Sequence, residues 1–127
     1  MNKEELKQLI SNLKIDKEEF WILSSSALVL RDLLPKANDL DIAVTEEGFR
    51  QLNENYNIVR KENGMYQVLE NVECFIDIKE EWKIEKHQNY NLENIEKYYK
   101  YLLQSKREKD ILRIPIVEKY INEKKGE

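Results

Sequence analysis

Three acidic residues set inside two short apolar stretches constrain this chain most. Asp39 and Asp41 lie in Asn38-Asp39-Leu40-Asp41-Ile42-Ala43-Val44, and Asp77 lies in Cys74-Phe75-Ile76-Asp77-Ile78. Runs of this kind read as buried strands, where an unpaired carboxylate is costly to desolvate. Side chains alternate faces along a strand, so Asp39 and Asp41 share one face while Leu40 and Ile42 take the other. If the Phe75–Ile78 segment pairs alongside, Asp77 joins the same patch. Three carboxylates in one patch repel one another, and a divalent cation is the simplest group that relieves them. The expectation is a magnesium site serving a phosphate-bearing substrate.

The rest of the chain supplies a small mixed scaffold for such a patch. Leu6, Leu9, Ile10 and Leu13 recur at helical spacing and predict an amphipathic helix ending near Lys14. Phe20-Trp21-Ile22-Leu23 predicts a buried strand, and Ser24-Ser25-Ser26 a helix start. The helix from Ala27 is expected to run to Leu34, closed by Pro35. Leu40–Val44 is the acidic strand, and Thr45 caps a helix carrying Phe49 and Leu52. Tyr56–Arg60, Met65–Leu69 and Val72–Ile78 read as strands, the first two joined by an Asn63-Gly64 turn. Leu92, Ile95, Tyr98, Tyr99, Leu102 and Leu103 form one helical stripe. A second, from Ile111 to Ile121, is interrupted at Pro115. The expected fold class is α/β (α+β): a small mixed twisted sheet flanked by helices, with C-terminal helices. Residues 1–127 are read as one domain, with a core over about 20–80 and a helical part over about 91–125.

Composition narrows the function classes. A 41% hydrophobic and 36% charged chain is globular in character, and its net charge of −4 argues against general binding of nucleic acid polymers. It leaves room for a small nucleotide bound with its own metal ion. The single cysteine, Cys74, excludes an intramolecular disulfide, and its place in a strand reads as a small buried hydrophobe. With one histidine, His87, and one cysteine, zinc sites of the usual type are not expected. His87 reads as a solvated loop residue. The charged N-terminus lacks a signal peptide's apolar core, and no apolar run approaches the ~20 residues that span a bilayer, so a cytoplasmic protein without membrane contact is expected.

The order Ser24-Ser25-Ser26-Ala27-Leu28-Val29-Leu30, Asp39-Leu40-Asp41 and Phe75-Ile76-Asp77-Ile78 resembles the nucleotidyltransferase superfamily that shares the palm-like core of DNA polymerase beta. Small bacterial members are the most similar, among them lincosamide-type antibiotic adenylyltransferases and abortive-infection toxins of toxin–antitoxin pairs. Lys106-Arg107-Glu108-Lys109-Asp110 is similar to a basic-acidic helical segment that often ends such minimal members. The resemblance spans roughly residues 20 to 115. Where the family pattern has two glycines this chain has Ser25 and Ser26, and Asp32 stands at a further frequent glycine.

The resemblance implies magnesium-dependent transfer of a nucleoside monophosphate from a triphosphate, ATP or another, to a hydroxyl of a small molecule or macromolecular end. It implies two magnesium ions on Asp39, Asp41 and Asp77, with Asp77 also activating the acceptor. Ser24, Ser25 and Ser26 would contact the phosphates. Arg31, Lys36 or Lys79 would neutralise the leaving pyrophosphate.

Each assignment has a plainer counterpart. The serines suffice as a helix cap, and the three cations suffice as solvated surface. Tyr98, Tyr101 and Leu102 share a helix face suited to core packing rather than base stacking. A non-catalytic nucleotide-binding domain, or one half of a toxin–antitoxin pair, fits the same residues. So short a chain leaves the acceptor to the C-terminal helices, a second copy in a homodimer, or a protein partner.

Overall fold

The computed structural model describes residues 1–126. Its elements run α1 (Lys3–Asn12), β1 (Phe20–Ile22), α2 (Ser24–Leu30), β2 (Leu40–Val44), α3 (Glu46–Asn55), β3 (Val59–Arg60), β4 (Tyr66–Leu69), β5 (Val72–Ile76), β6 (Ile84–His87), β7 (Tyr90–Glu93), α4 (Ile95–Gln104) and α5 (Glu108–Lys125). The seven strands form one mixed sheet in the order β3-β4-β5-β2-β1-β7-β6. β2 runs parallel to β5 and antiparallel to β1, and β1 runs parallel to β7. The architecture is the expected α/β class.

Period-two alternation sorts the sheet into two faces. Phe20, Ile22, Leu40, Ile42, Val44, Val72, Cys74 and Leu92 point one way, into a core shared with Leu6, Ile10 and Leu13 of α1 and Leu52 of α3. Burial pushes the Cys74 thiol up to about 11, so it is an inert core residue as its sequence context implied. The opposite face carries Trp21, Leu23 and Ala43, with Phe75 and Ile84 packed beside them. A third cluster joins Leu28 of α2 to Ile95, Tyr98 and Leu102 of α4 and Val117 and Ile121 of α5.

Local chemistry explains most boundaries. Asn2 and Glu5 form a reciprocal capping box on α1, and Thr45 accepts the Gly48 N–H at the start of α3. A Cβ at Gly48 would stand 2.5 Å from the Glu19 carbonyl, so that close approach requires glycine. The end of α2 differs from expectation. It stops at Leu30, well before Pro35, because Asp32 adopts a left-handed conformation (φ 63°). Leu33 N–H then donates to the Leu28 carbonyl and Asp32 N–H to the Val29 carbonyl, a Schellman closure.

The C-terminal third also departs from the sequence reading. Residues Ile84–His87 and Tyr90–Glu93 form a hairpin, so Leu92 belongs to a strand and the helices begin at Ile95. His87 is a half-buried strand residue rather than a loop residue, and burial holds its imidazole below the ordinary value. α5 continues through Pro115 without a break. Tyr98 and Leu102 are buried as expected, whereas Tyr101 is 46% exposed and stacks on Tyr98 with ring centroids 6.0 Å apart.

Candidate functional site

Asp41 stands on the sheet face opposite the α1–α3 core, because Leu40 and Ile42 on either side of it are fully buried there. Asp39 precedes the strand in an exposed bend, and Ser26 Oγ donates to its carbonyl at 2.7 Å. That bond ties the first turn of α2 to the entrance of β2. One oxygen of Asp41, Oδ1, is buried without a hydrogen-bond partner. Burial raises the Asp41 carboxyl above its ordinary value and the Asp39 charge raises it further, while Lys109 and Lys61 pull it back. Such an oxygen, close to a second carboxylate, is suited to a cation.

Asp77 does not join this pair. The parallel β2–β5 register sets Asp41 beside Glu73, Ala43 beside Phe75 and Val44 beside Ile76. Asp77 therefore lies four residues beyond Glu73, about 13 Å further along the strand direction. Its N–H donates to the Val44 carbonyl at the far end of β2. Its carboxylate pairs with Lys83 at 3.2 Å and accepts the Ile78 N–H at 2.8 Å. The expected trio of Asp39, Asp41 and Asp77 is thus split by strand register, with Phe75 on the same face between its halves. Among the described residues no three carboxylate, histidine or cysteine side chains form a group able to hold a metal ion.

The acid that the fold brings beside Asp41 is Glu73, which the sequence reading passed over. Its carboxylate forms an ion pair with Lys61, from the loop between β3 and β4. Alternation along Val72–Ile76 already put Glu73 on the face of Asp77, but the pairing register was not readable from the chain. Lys109 was also missed as a charged partner of Asp41, though it lies in the segment singled out for its family likeness.

The corner that presents Lys109 is firmly anchored. Asp110 is 2% exposed and accepts hydrogen bonds from Ser105 Oγ at 2.7 Å and Tyr101 Oη at 3.3 Å. Arg113 stands 3.8 Å from the same carboxylate and donates to Tyr98 Oη at 3.1 Å.

The remaining candidates divide. Ser24 has φ 51°, and its N–H donates to Glu93 Oε1 at 3.3 Å. The N-cap position of α2 is Leu23 with no side-chain cap, so the serines do not act as the expected cap. Ser25 stands half-buried beside Ser24. Arg31 is neither a solvated cation nor a neighbour of the acid pair. It is 5% exposed, donates to the Glu93 carbonyl at 3.1 Å, lies 3.6 Å from Glu85 and faces the Tyr120 ring. Lys79 reaches the Glu18 carbonyl at 2.7 Å and its carboxylate at 3.2 Å, away from Asp41. Lys36 is exposed and forms no ion pair among the described residues.

No protein-family model, curated protein or solved structure matches this chain. Among the described residues no helix is long and apolar enough to cross a membrane.

Proposed function

We propose that the protein is a magnesium-dependent nucleotidyltransferase, transferring a nucleoside monophosphate from a triphosphate to a hydroxyl acceptor. The observation that carries this reading is the buried, partnerless Oδ1 of Asp41 next to Asp39 at the mouth of one sheet face. Magnesium is usually bound by one or two carboxylates together with substrate phosphates, so a pair of acids suffices and a trio is not required. Asp39 and Asp41 would hold the metal, which when bound would supply Lewis-acid stabilisation of the transferring phosphoryl oxygens.

The chain's own residues account for the remaining tasks. The acceptor oxygen attacks the α-phosphorus, the bond to the bridging oxygen breaks, and pyrophosphate leaves. Glu73, beside Asp41 in the ladder, is the carboxylate able to take the acceptor's proton once Lys61 turns from it toward phosphate. Lys61 and Lys109 supply positive charge in a protein of net charge −4, favouring a polyphosphate at this one place. The hydroxyls of Ser24 and Ser25 remain the phosphate contacts on the α2 side, whereas Ser26 is committed to the Asp39 carbonyl.

The test is pyrophosphate release from each of the four triphosphates with magnesium and a broad acceptor panel. Asp41→Asn should lower it by at least about 100-fold without unfolding the chain. Absence of both triphosphate binding and pyrophosphate release would overturn the proposal.

A second reading is triphosphate binding without turnover, within a sensing or toxin–antitoxin role. It is favoured by the two internal contacts that occupy groups catalysis would use, Glu93 on the Ser24 N–H and Lys61 on Glu73. Calorimetry showing triphosphate binding with no released pyrophosphate would select it. Leu103, Ile111 and Leu112, all more than half or about half exposed on α4 and α5, would then be the surface offered to a protein partner or a second copy.

A further inference from the structure

A separate cavity of about 380 Å³ opens on the other face of the sheet, between α1, the start of β1 and the β6–β7 hairpin. Its floor is formed by Ile10, Phe20, Ile22 and Tyr90. Phe20 and Ile22 belong to the face that packs on α1, whereas Asp41 points from the opposite face at the end of β2 away from Phe20, so the two places are separate. Lys7, Lys17 and Lys86 rim the cavity, Lys7 standing 3.9 Å from Glu4 on its own helix, and Glu18 is the one carboxylate in the lining. That carboxylate is already shared, standing 3.2 Å from Lys79 and 3.7 Å from Lys86. Lys17 forms no ion pair among the described residues, so the rim carries surplus positive charge in an acidic protein.

The third wall is the turn of the hairpin. Gln88 and Asn89 connect His87 to its partner Tyr90, and Gln88 takes φ 56° where such tight turns favour glycine. A non-glycine residue held in this region costs on the order of 1 kcal/mol or more, and such cost concentrates where side chains are needed. Here it places two exposed amides at the cavity's edge. Asn91 braces the opposite lip by donating to the Lys17 carbonyl at 3.2 Å.

We infer that this cavity is a binding site for a small flat aromatic anion, its ring laid on Phe20, Ile22 and Tyr90 and its carboxylate or phosphate held by Lys17 and Lys86. The volume falls within the range of small-molecule sites, and an apolar floor with a few convergent polar groups is their usual construction. The ring without charge gains nothing from the rim, and the charge without a ring gains nothing from the floor. The site stands independently of the proposed transferase chemistry.

The test is a backbone-amide NMR titration of the full chain with benzoate, phenyl phosphate, neutral benzamide and inorganic phosphate. Benzoate or phenyl phosphate should move the Lys17, Gln88, Asn89 and Asn91 resonances together. Benzamide and inorganic phosphate should each bind at least about 10-fold more weakly. The exposed double change Lys17→Glu with Lys86→Glu should abolish the response, whereas Lys100→Glu on α4 should not. Equal responses to charged and neutral rings, a response to phosphate alone, shifts scattered over the surface, or no shifts would each overturn the inference. An Asp41→Asn chain should bind the aromatic anions unchanged, which separates failure here from failure of the transferase reading.

Discussion

Asp41 and Glu73 lie side by side in the parallel β2–β5 ladder, with the Glu73 carboxylate drawn to Lys61 and one Asp41 oxygen left without a partner. The pair defines one end of a sheet face on which Trp21 of β1, Ala43 of β2 and Phe75 of β5 fill the next rows. Charge is thus concentrated where the strands begin and excluded from their middle. Asp77, at the far end, belongs to a different set of contacts with Lys83.

Glu73→Gln and Asp77→Asn should therefore separate cleanly. Glu73→Gln removes the carboxylate beside Asp41 and should lower pyrophosphate release by about 100-fold. Asp77→Asn should leave turnover within about two-fold and stability within about 1 kcal/mol, since it loses a partly exposed ion pair. Steady-state rates and urea midpoints for the two variants decide the matter. Equal losses of activity would return Asp77 to the site.

The raised Asp41 carboxyl has a definite sign in stability. Its folded form holds a proton more tightly than the unfolded chain does, because burial and Asp39 disfavour its charge. Over the window from the ordinary aspartate value up to the raised one, the folded state binds more protons. Asp41 thus reduces stability as pH rises through that window. Asp41→Asn removes the charge, so the variant should gain on the parent in urea unfolding as pH rises above the ordinary aspartate value of about 4, and keep that gain at higher pH. A gap that closes or reverses with rising pH would contradict the assigned cause.

Magnesium should act on the same group. An ion held by Asp39 and Asp41 stabilises the folded chain by about 1.4 kcal/mol at ten times its dissociation constant. Thermal unfolding should therefore shift upward with magnesium in the parent and remain still in the Asp39→Asn, Asp41→Asn double variant. Equal shifts in both would place the ion elsewhere.

Much of this arrangement was legible in the chain, for identifiable reasons. Leu40–Val44 is a short, branched-rich run bounded by Asp39 and Thr45, so β2 and the placement of Asp41 between buried Leu40 and Ile42 are readable, whereas Asp39 stands before the strand in an exposed bend. Thr45 announces α3 through its cap. The β6–β7 hairpin was illegible because its turn is Gln88-Asn89, without the glycine that normally marks one, and β6 offers a single aliphatic residue. The end of α2 was misplaced because Asp32, not Pro35, breaks the helix. The third acid was misassigned because alternation gives the face of a residue but not its height along a neighbouring strand. Only the pairing of Leu40 with Val72 sets Glu73 rather than Asp77 beside Asp41.

Asp110 should be the most sensitive polar position in the C-terminal helices. It is 2% exposed, and its carboxylate gathers Ser105, Tyr101 and Arg113 at the α4–α5 corner. Asp110→Ala leaves the half-buried Arg113 and two hydroxyls without their acceptor, costing about 2 kcal/mol. Asp110→Asn keeps an acceptor oxygen and should cost less. Urea unfolding orders the two variants, and a near-neutral Asp110→Ala would mean that the corner is held by its apolar contacts instead.

Pro115 is an avoidable defect in α5, and its replacement should stabilise the chain. It sits in the interior of an uninterrupted helix from Glu108 to Lys125, so the Ile111 carbonyl lacks the amide that another residue would present. The ring is exposed and contributes little to the core formed by Val117 and Ile121 on the adjoining turns. Pro115→Ala restores a helical hydrogen bond, removes the clash with the preceding turn and introduces the residue of highest helix propensity. The expected gain is about 1–3 kcal/mol, read as a higher urea midpoint with an unchanged slope. A loss of stability on this change would show that the proline sets a bend in α5 on which the packing against α4 depends.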